Sequence, residues 1–275
     1  MGIHPHPVLY IDDIPEGTPS RSDWTIIIPA AGTGSRLGYH QPKILYPLLG
    51  RPILDWLLDA LQDVMHRVVL VLSPHARTQV EPQFFSRMGS QGRVVIQTEP
   101  RGMADAVLQA ESEVRTPHCL VVWGDQATLS RRTIRRCALA HEQTGTPNLT
   151  LATIMKEQPY IHFQRDANGK IIRVQQAREG EIKERIGEND CGLFLFHAQT
   201  LFSTLHHCRD HGLARGSNTR EFNLLQTLPL FEQKGGDVVT VRINDERETM
   251  GVNTPEEAKI VEEILKTMRS AGVPS

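Results

Sequence analysis

Between Ala30 and Lys43 the chain carries the residue types needed to hold a polyphosphate. Ala30-Ala31-Gly32-Thr33-Gly34-Ser35-Arg36-Leu37-Gly38 follows directly on the apolar run Trp24-Thr25-Ile26-Ile27-Ile28-Pro29, and Pro42-Lys43 comes shortly after. A Gly-rich turn at the end of a buried strand lets backbone N–H groups converge on phosphate oxygens with no Cβ in the way. Ala30, Ala31, Gly32 and Gly34 form the expected cradle. A triphosphate carries about four negative charges, so attack at its α-phosphorus calls for cations on both sides of the cleaved bond. Arg36 can grip the departing β and γ phosphates with its planar fork, while Lys43 offers a point charge to the α-phosphate.

Two common phosphate-binding patterns do not fit this loop. The dinucleotide fingerprint G-x-G-x-x-G fails because Gly38 falls one residue late, and the second strand runs into Ser73-Pro74 rather than an acidic residue. The Walker A pattern requires Gly-Lys-Ser/Thr, which does not occur here.

Further along, Val121-Val122-Trp123-Gly124-Asp125 reads as a buried strand ending in a carboxylate. The C-terminal end of a parallel strand is where α/β sheets bind ligands, and a hard oxygen there suits Mg²⁺. Gly251-Val252-Asn253-Thr254-Pro255 puts a second oxygen donor ahead of a helix; read locally, Asn253 or Thr254 is its N-cap.

The elements that must position these groups alternate regularly. Short apolar runs at 24–29, 68–72, 94–96 and 119–123 predict buried strands. Helical spacing marks 52–65, the seventies and eighties, 103–114 and 131–143. This alternation predicts an α/β fold with a doubly wound, mostly parallel sheet. From about residue 149 the rhythm turns to strands at 149–155, 161–165 and 171–175, with Asp166-Ala167-Asn168-Gly169 as a hairpin turn. A strand at 192–196, a helix near 222–233, a strand at 238–243 and a helix at 255–268 complete the pattern. The division predicted is an N-terminal arm over 1–22 and one domain over 23–272, within which about 149–220 forms a β-rich substrate lobe.

Composition narrows the partners. With 275 residues, 39% apolar, 23% charged and a net charge of −2, the chain lacks the basic field that nucleic acid or an anionic membrane would select. No apolar run approaches the roughly 20 residues of a membrane span, and the start Met1-Gly2-Ile3-His4-Pro5-His6-Pro7 lacks a secretory pattern. Cys119, Cys137, Cys191 and Cys208 show no C-x-x-C spacing, so four reduced thiols in a cytoplasmic protein are expected. His206, His207 and His211 cluster without a carboxylate or Cys motif to complete a zinc site.

Ala30-Ala31-Gly32-x-Gly34-x-Arg36-Leu37, then Pro42-Lys43 and Leu48-x-Gly50-x-Pro52, resembles the signature of the sugar-1-phosphate nucleotidyltransferases. Within that family it is similar to the uridylyltransferase domain that makes UDP-N-acetylglucosamine, in order from about residue 24 to 265. The resemblance implies that Arg36, Lys43 and Asp125 are catalytic, and that Asp125 and Asn253 hold Mg²⁺. It implies that Gln97 reads the base edge, which suits an amide able to donate and accept, and that Gly102 accommodates the nucleoside. On the sugar side it points to Glu188, Asp190 and Arg178, the last toward the acceptor phosphate. Asp190 stands at the family's Asn place and Cys191 at its Thr place. Tyr160-Ile161-His162 replaces Tyr-Gly-Arg, and Gln176-Ala177-Arg178 stands where the family has Glu-Glu-Lys.

The implied partners are a nucleoside triphosphate, with UTP favoured, and a small phosphorylated acceptor; a homo-oligomer is compatible. The bifunctional relatives continue into a hexapeptide-repeat acyltransferase domain; without that pattern, acetyl transfer is not expected. Two other readings compete: a cytidylyltransferase acting on a phosphonate or alcohol phosphate, and a catalytically silent nucleotide-sugar-binding regulator.

Overall fold

The computed structural model describes residues 7–32, 34–145, 147–233 and 237–270. In chain order its elements are β1 (Val8–Tyr10), β2 (Trp24–Pro29), β3 (Pro47–Leu48), β4 (Arg51–Pro52), α1 (Ile53–Leu61), β5 (Arg67–Leu72), α2 (Pro74–Met88), β6 (Gly92–Ile96), α3 (Met103–Gln109) and β7 (His118–Val122). They continue with α4 (Arg131–Gln143), β8 (Leu149–Glu157), β9 (Ile161–Arg165), β10 (Ile171–Gln176), β11 (Ile186–His197), α5 (Ala198–Asp210), α6 (Leu228–Phe231), β12 (Val238–Arg242) and α7 (Pro255–Ser270).

Eight strands join in the order β1-β12-β8-β11-β7-β2-β5-β6. β11 runs antiparallel to both its neighbours, β7 and β8, and the other pairings are parallel. The apolar runs read as buried strands because both faces of the sheet are covered. Ile26, Ile28, Val68, Leu70 and Leu72 pack into one core layer with α1, α2, α4 and α7; Ile27, Val69 and Val71 point into the other, with α3, α5 and α6. A continuous apolar run is what such two-sided burial demands.

The lobe is thinner than its span suggested. β9 and β10 form a separate antiparallel hairpin, and β11, longer than the strand predicted at 192–196, carries the chain from the lobe back into the main sheet. The helix expected over 222–233 contracts to α6 and a 3₁₀ turn, Leu225–Thr227. Phe222 is instead drawn out by backbone hydrogen bonds with the start of α3: its N–H donates to Arg101 O and its carbonyl accepts from Ala104 N.

The N-terminal segment adds β1 to the sheet edge, paired in parallel with β12. Ile11 and Ile14 are buried in the core beneath it. Asp12 and Glu16 meet Arg132, Arg135 and Arg136 on α4, and the Arg136 guanidinium also donates to Ile11 O. All four cysteines are buried free thiols. Among the described residues no helix is long and apolar enough to cross a membrane.

Candidate active site

The C-terminal ends of β2 and β7 lie side by side, and a glycine permits it. A Cβ on Gly124 would stand 2.9 Å from the Pro29 carbonyl oxygen, so only Gly lets Asp125 approach the glycine loop this closely. In the loop Gly34 takes φ +62°, and a Cβ there would meet Lys43 Cβ at 2.8 Å. The missing side chain is what brings Lys43 against the loop. On the third side, Gly251 packs its Cα face against the Asp125 carboxylate, where a Cβ would sit 3.2 Å from Oδ2.

These three approaches bring the distant polar groups together. Lys43 Nζ donates to Asp125 Oδ2 at 2.6 Å and to Asn253 Oδ1 at 2.8 Å, and Arg36 Nη2 reaches Asn253 Oδ1 at 3.3 Å. The Lys43 and Asp125 side chains are 17% and 20% exposed, open enough for a ligand and buried enough that their charges are not screened away. Asn253 is fixed from behind: Glu257 Oε2 accepts from the N–H groups of Asn253 and Thr254, and Thr254 Oγ1 accepts from Glu257 N. This reciprocal cap at the start of α7 leaves the Asn253 carboxamide oxygen for the cavity.

The four groups border a cavity of about 560 Å³ between the glycine loop and the lobe. Ala30, Gly32, Gly34 and Asp190 also border it, as does Arg178. Ala31, Gln97, Gly102 and Glu188 do not. Gln97 is buried and its amide nitrogen is engaged by Asp105 Oδ2 at 2.8 Å and Gly102 O at 3.1 Å. Asp105, which carried no role in the sequence, therefore sets the amide's orientation. Gly102, at φ +118°, is required by the protein itself, since a Cβ there would overlap the Phe222 carbonyl.

Glu188 lies in a separate polar cluster. It accepts from Arg165 at 2.7 Å and from Thr153 at 2.8 Å; burial opposes its charge, but these partners outweigh it and hold the carboxyl below its ordinary range. Asp190 behaves in the opposite way. Burial, together with the nearby Asp125 charge, raises it to about 6 despite hydrogen bonds from Gly192 N–H and the Trp123 side chain. Arg178 reaches the cavity wall already paired, 2.6 Å from Glu221 and 3.4 Å from Glu179.

Two cavity residues with no role assigned from the sequence are buried amides with an atom that has no partner among the described residues, Gln126 Oε1 and Gln176 Nε2. Asn223 donates to Gln176 Oε1 at 3.0 Å, which fixes the amide and leaves its buried nitrogen as the unused donor. A third is Lys156, whose signal was a lone cation closing the apolar strand β8.

The MobA-like NTP transferase domain matches residues 26–211, two thirds of the chain and including the glycine loop, Lys43 and Asp125. The chain belongs to that family. Among curated proteins it is 28% identical over 246 residues to the bifunctional protein GlmU of Heliobacterium modesticaldum, covering 88% of this chain and 52% of that one. It is 29% identical over 241 residues to the bifunctional protein GlmU of Paraburkholderia phymatum, covering 87% and 51%. The chain thus spans about half the length of these relatives. Among solved structures, the inositol-1-phosphate CTP transferase from T. maritima superposes with a TM-score of 0.63 at 17% identity, covering 89% of this chain and 96% of that one. HddC from Yersinia pseudotuberculosis gives 0.62 at 16%, covering 88% and 99%. At such identities these structures establish the shared fold of this NTP transferase, a mostly parallel sheet flanked by helices.

Proposed function

We propose that this NTP transferase joins a nucleoside triphosphate, with UTP favoured, to a sugar 1-phosphate and releases pyrophosphate. The observation that carries the reading is the convergence of Lys43 on both Asp125 and Asn253, with Arg36 alongside. In this reading Arg36, Lys43 and Asp125 are catalytic, and Ala30, Gly32 and Gly34 supply the phosphate cradle. Ala31, Gln97 and Gly102 act from behind by shaping the nucleoside side, and Asp190 faces the sugar.

Mg²⁺ fits the donor set. The Asp125 carboxylate and Asn253 carboxamide are hard oxygens already converging on one cation, the Lys43 ammonium. Among the described residues no group of three or more His, Cys, Asp or Glu could hold a metal, so substrate oxygens would complete the shell, as is usual for Mg²⁺. When bound, the ion would neutralise phosphate charge. Lys43 and Arg36 then orient the triphosphate so that an acceptor phosphate oxygen attacks the α-phosphorus in line. One O–P bond forms, the bridge to the β-phosphate breaks, and pyrophosphate leaves with the bonding pair. A phosphate monoester is already an anion, so the step needs no protein base.

The second reading keeps the same chemistry with CTP and an alcohol phosphate, the donor and acceptor type named for the T. maritima structure. A silent sensor is disfavoured because it would have no use for four convergent catalytic groups. Pyrophosphate release from UTP, CTP, ATP, GTP and dTTP against a panel of sugar and polyol phosphates tests all three. Release with UTP and a sugar 1-phosphate is expected; release only with CTP and a polyol phosphate selects the second reading, and tight nucleotide binding with no release selects the sensor.

A further inference from the structure

Four basic side chains border the cavity, Arg36, Lys43, Lys156 and Arg178, and their charges are unequally engaged. Lys43 lies 2.6 Å from Asp125. Arg178 lies 2.6 Å from Glu221 and 3.4 Å from Glu179, so two carboxylates already answer its one charge. Arg36 belongs to the glycine loop and, among the described residues, hydrogen-bonds the neutral carboxamide of Asn253 and forms no ion pair. Lys156 stands apart. Its Nζ donates to the Thr249 hydroxyl at 3.0 Å, and among the described residues no carboxylate forms an ion pair with it.

Its position in the fold gives that charge a direction. Along β8, Lys156 alternates in phase with Ala152 and Ile154, which are buried in the core, so its stem leaves the sheet on the same face. Its backbone pairs with Gly187, where β11 enters the sheet from the lobe. Thr249, which holds the ammonium, ends a 3₁₀ turn two residues before Gly251, the residue packed on the Asp125 carboxylate. The ammonium therefore approaches the Asp125–Asn253 pair from the lobe, whereas Arg36 approaches from the glycine loop.

Resting on the function proposed above, we infer that Lys156, held by Thr249, binds the phosphate of the second substrate, the group that attacks. Arg178, which the sequence pointed to for this role, is neutralised in place; an anion there would have to displace Glu221 first. An ammonium without a counter-charge in a partly enclosed cavity attracts a phosphate dianion with no such competition. The acceptor's phosphate would then lie between Lys156 and the triphosphate cradle, on the side from which in-line attack proceeds.

Inorganic phosphate is the probe. Protein with Mg²⁺ is saturated with α,β-methylene-UTP or α,β-methylene-CTP, which cannot react, and phosphate binding is followed by ³¹P NMR. The wild type should bind phosphate, Lys156→Met should weaken it about tenfold or more, and Lys156→Arg should recover most of it. Arg178→Met should change it little. Calorimetry should give the same nucleotide affinity for Lys156→Met as for the wild type, which shows that the variant is folded and its triphosphate site intact. Phosphate binding unchanged in Lys156→Met, lost in Arg178→Met instead, or absent from the nucleotide-loaded wild type overturns the assignment while leaving the transferase reading standing. Failure of both nucleotides to bind overturns both.

Discussion

The Lys43 ammonium bridges the Asp125 carboxylate, 82 positions away, and the Asn253 carboxamide, 210 positions away, at 2.6 and 2.8 Å. One lysine thus holds the two oxygens that would otherwise face a divalent cation. In the proposed mechanism the two cations would compete: metal could take both oxygens only if the ammonium moved off them, toward the phosphates.

Replacing Lys43 with Met should therefore have two opposite effects. Turnover should fall by about 100- to 1000-fold, the usual loss when one charge-stabilising group is removed. Affinity for Mn²⁺ in the absence of nucleotide, measured by electron paramagnetic resonance, should rise because the competitor is gone. Asp125→Asn should lose both turnover and Mn²⁺ binding. Weaker Mn²⁺ binding in Lys43→Met than in the wild type would mean that the lysine and the metal do not share these oxygens.

Gly34→Ala tests how Lys43 is seated. The new methyl would meet Lys43 Cβ at 2.8 Å, and φ +62° adds about 1–2 kcal/mol of left-handed strain. Lys43 should be pushed off the loop, lowering kcat far more than the melting temperature, with nucleotide affinity reduced only modestly. Gly38→Ala, at the same φ of +62° but with nothing within 4 Å of its Cβ, should retain most activity. Equal losses in the two variants would show that loop sterics do not govern the lysine.

The sequence revealed the sheet because its strands are buried on both faces, which leaves unbroken apolar runs such as Val68–Leu72. The sequence pointed to Arg36, Lys43, Asp125 and Asn253 because each lies in a short motif with a distinctive neighbour, beside a strand end, in a 3₁₀ turn or before a helix. Less was legible wherever a residue's role depends on what a distant segment does. Gln97 looked free to read a base, but Asp105, eight residues on, engages its amide nitrogen. Glu188 looked like a sugar ligand, but Arg165 comes across from β9 to claim it. The helix expected from Phe222 was lost to backbone bonds with residues 101 and 104. No local periodicity records such long-range partners.

Asp190 supplies a pH signature. Its carboxyl is raised from 3.8 to about 6, chiefly by burial and also by the nearby Asp125 charge. A carboxyl raised in the folded state contributes stability that is whole below its unfolded value and is lost as pH rises through the folded one. A tenfold change in proton affinity is worth about 1.4 kcal/mol, so the loss between pH 4 and 7 is on the order of 3 kcal/mol. Asp190→Asn should remove that alkaline loss, melting higher than the wild type at pH 8 and much closer to it at pH 4.5. His141 acts at the other end: burial beside His118 lowers it to about 3, so its contribution is present above 6.5 and lost on acidification. An Asp190→Asn difference independent of pH would mean that the carboxyl ionises normally.

The N-terminal segment separates two ways of docking. Its polar links to α4 include ion pairs, Asp12 with Arg132 and Glu16 with Arg135 and Arg136, beside the Arg136 hydrogen bond to Ile11 O. The two acids are well exposed, where such pairs are screened and contribute little. Ile11 and Ile14, by contrast, are 2% and 4% exposed and sit in the same core layer as Leu57 and Leu139. Removing the buried side chain in Ile11→Ala should cost about 2–5 kcal/mol of unfolding free energy in urea. Glu16→Gln should leave the urea midpoint where it is, in low salt and high salt alike. The reverse ranking would mean that charge, rather than apolar burial, seats the arm. The slope of the transition gives a second check, since an arm already detached in Ile11→Ala exposes less new surface on unfolding and should lower the denaturant dependence.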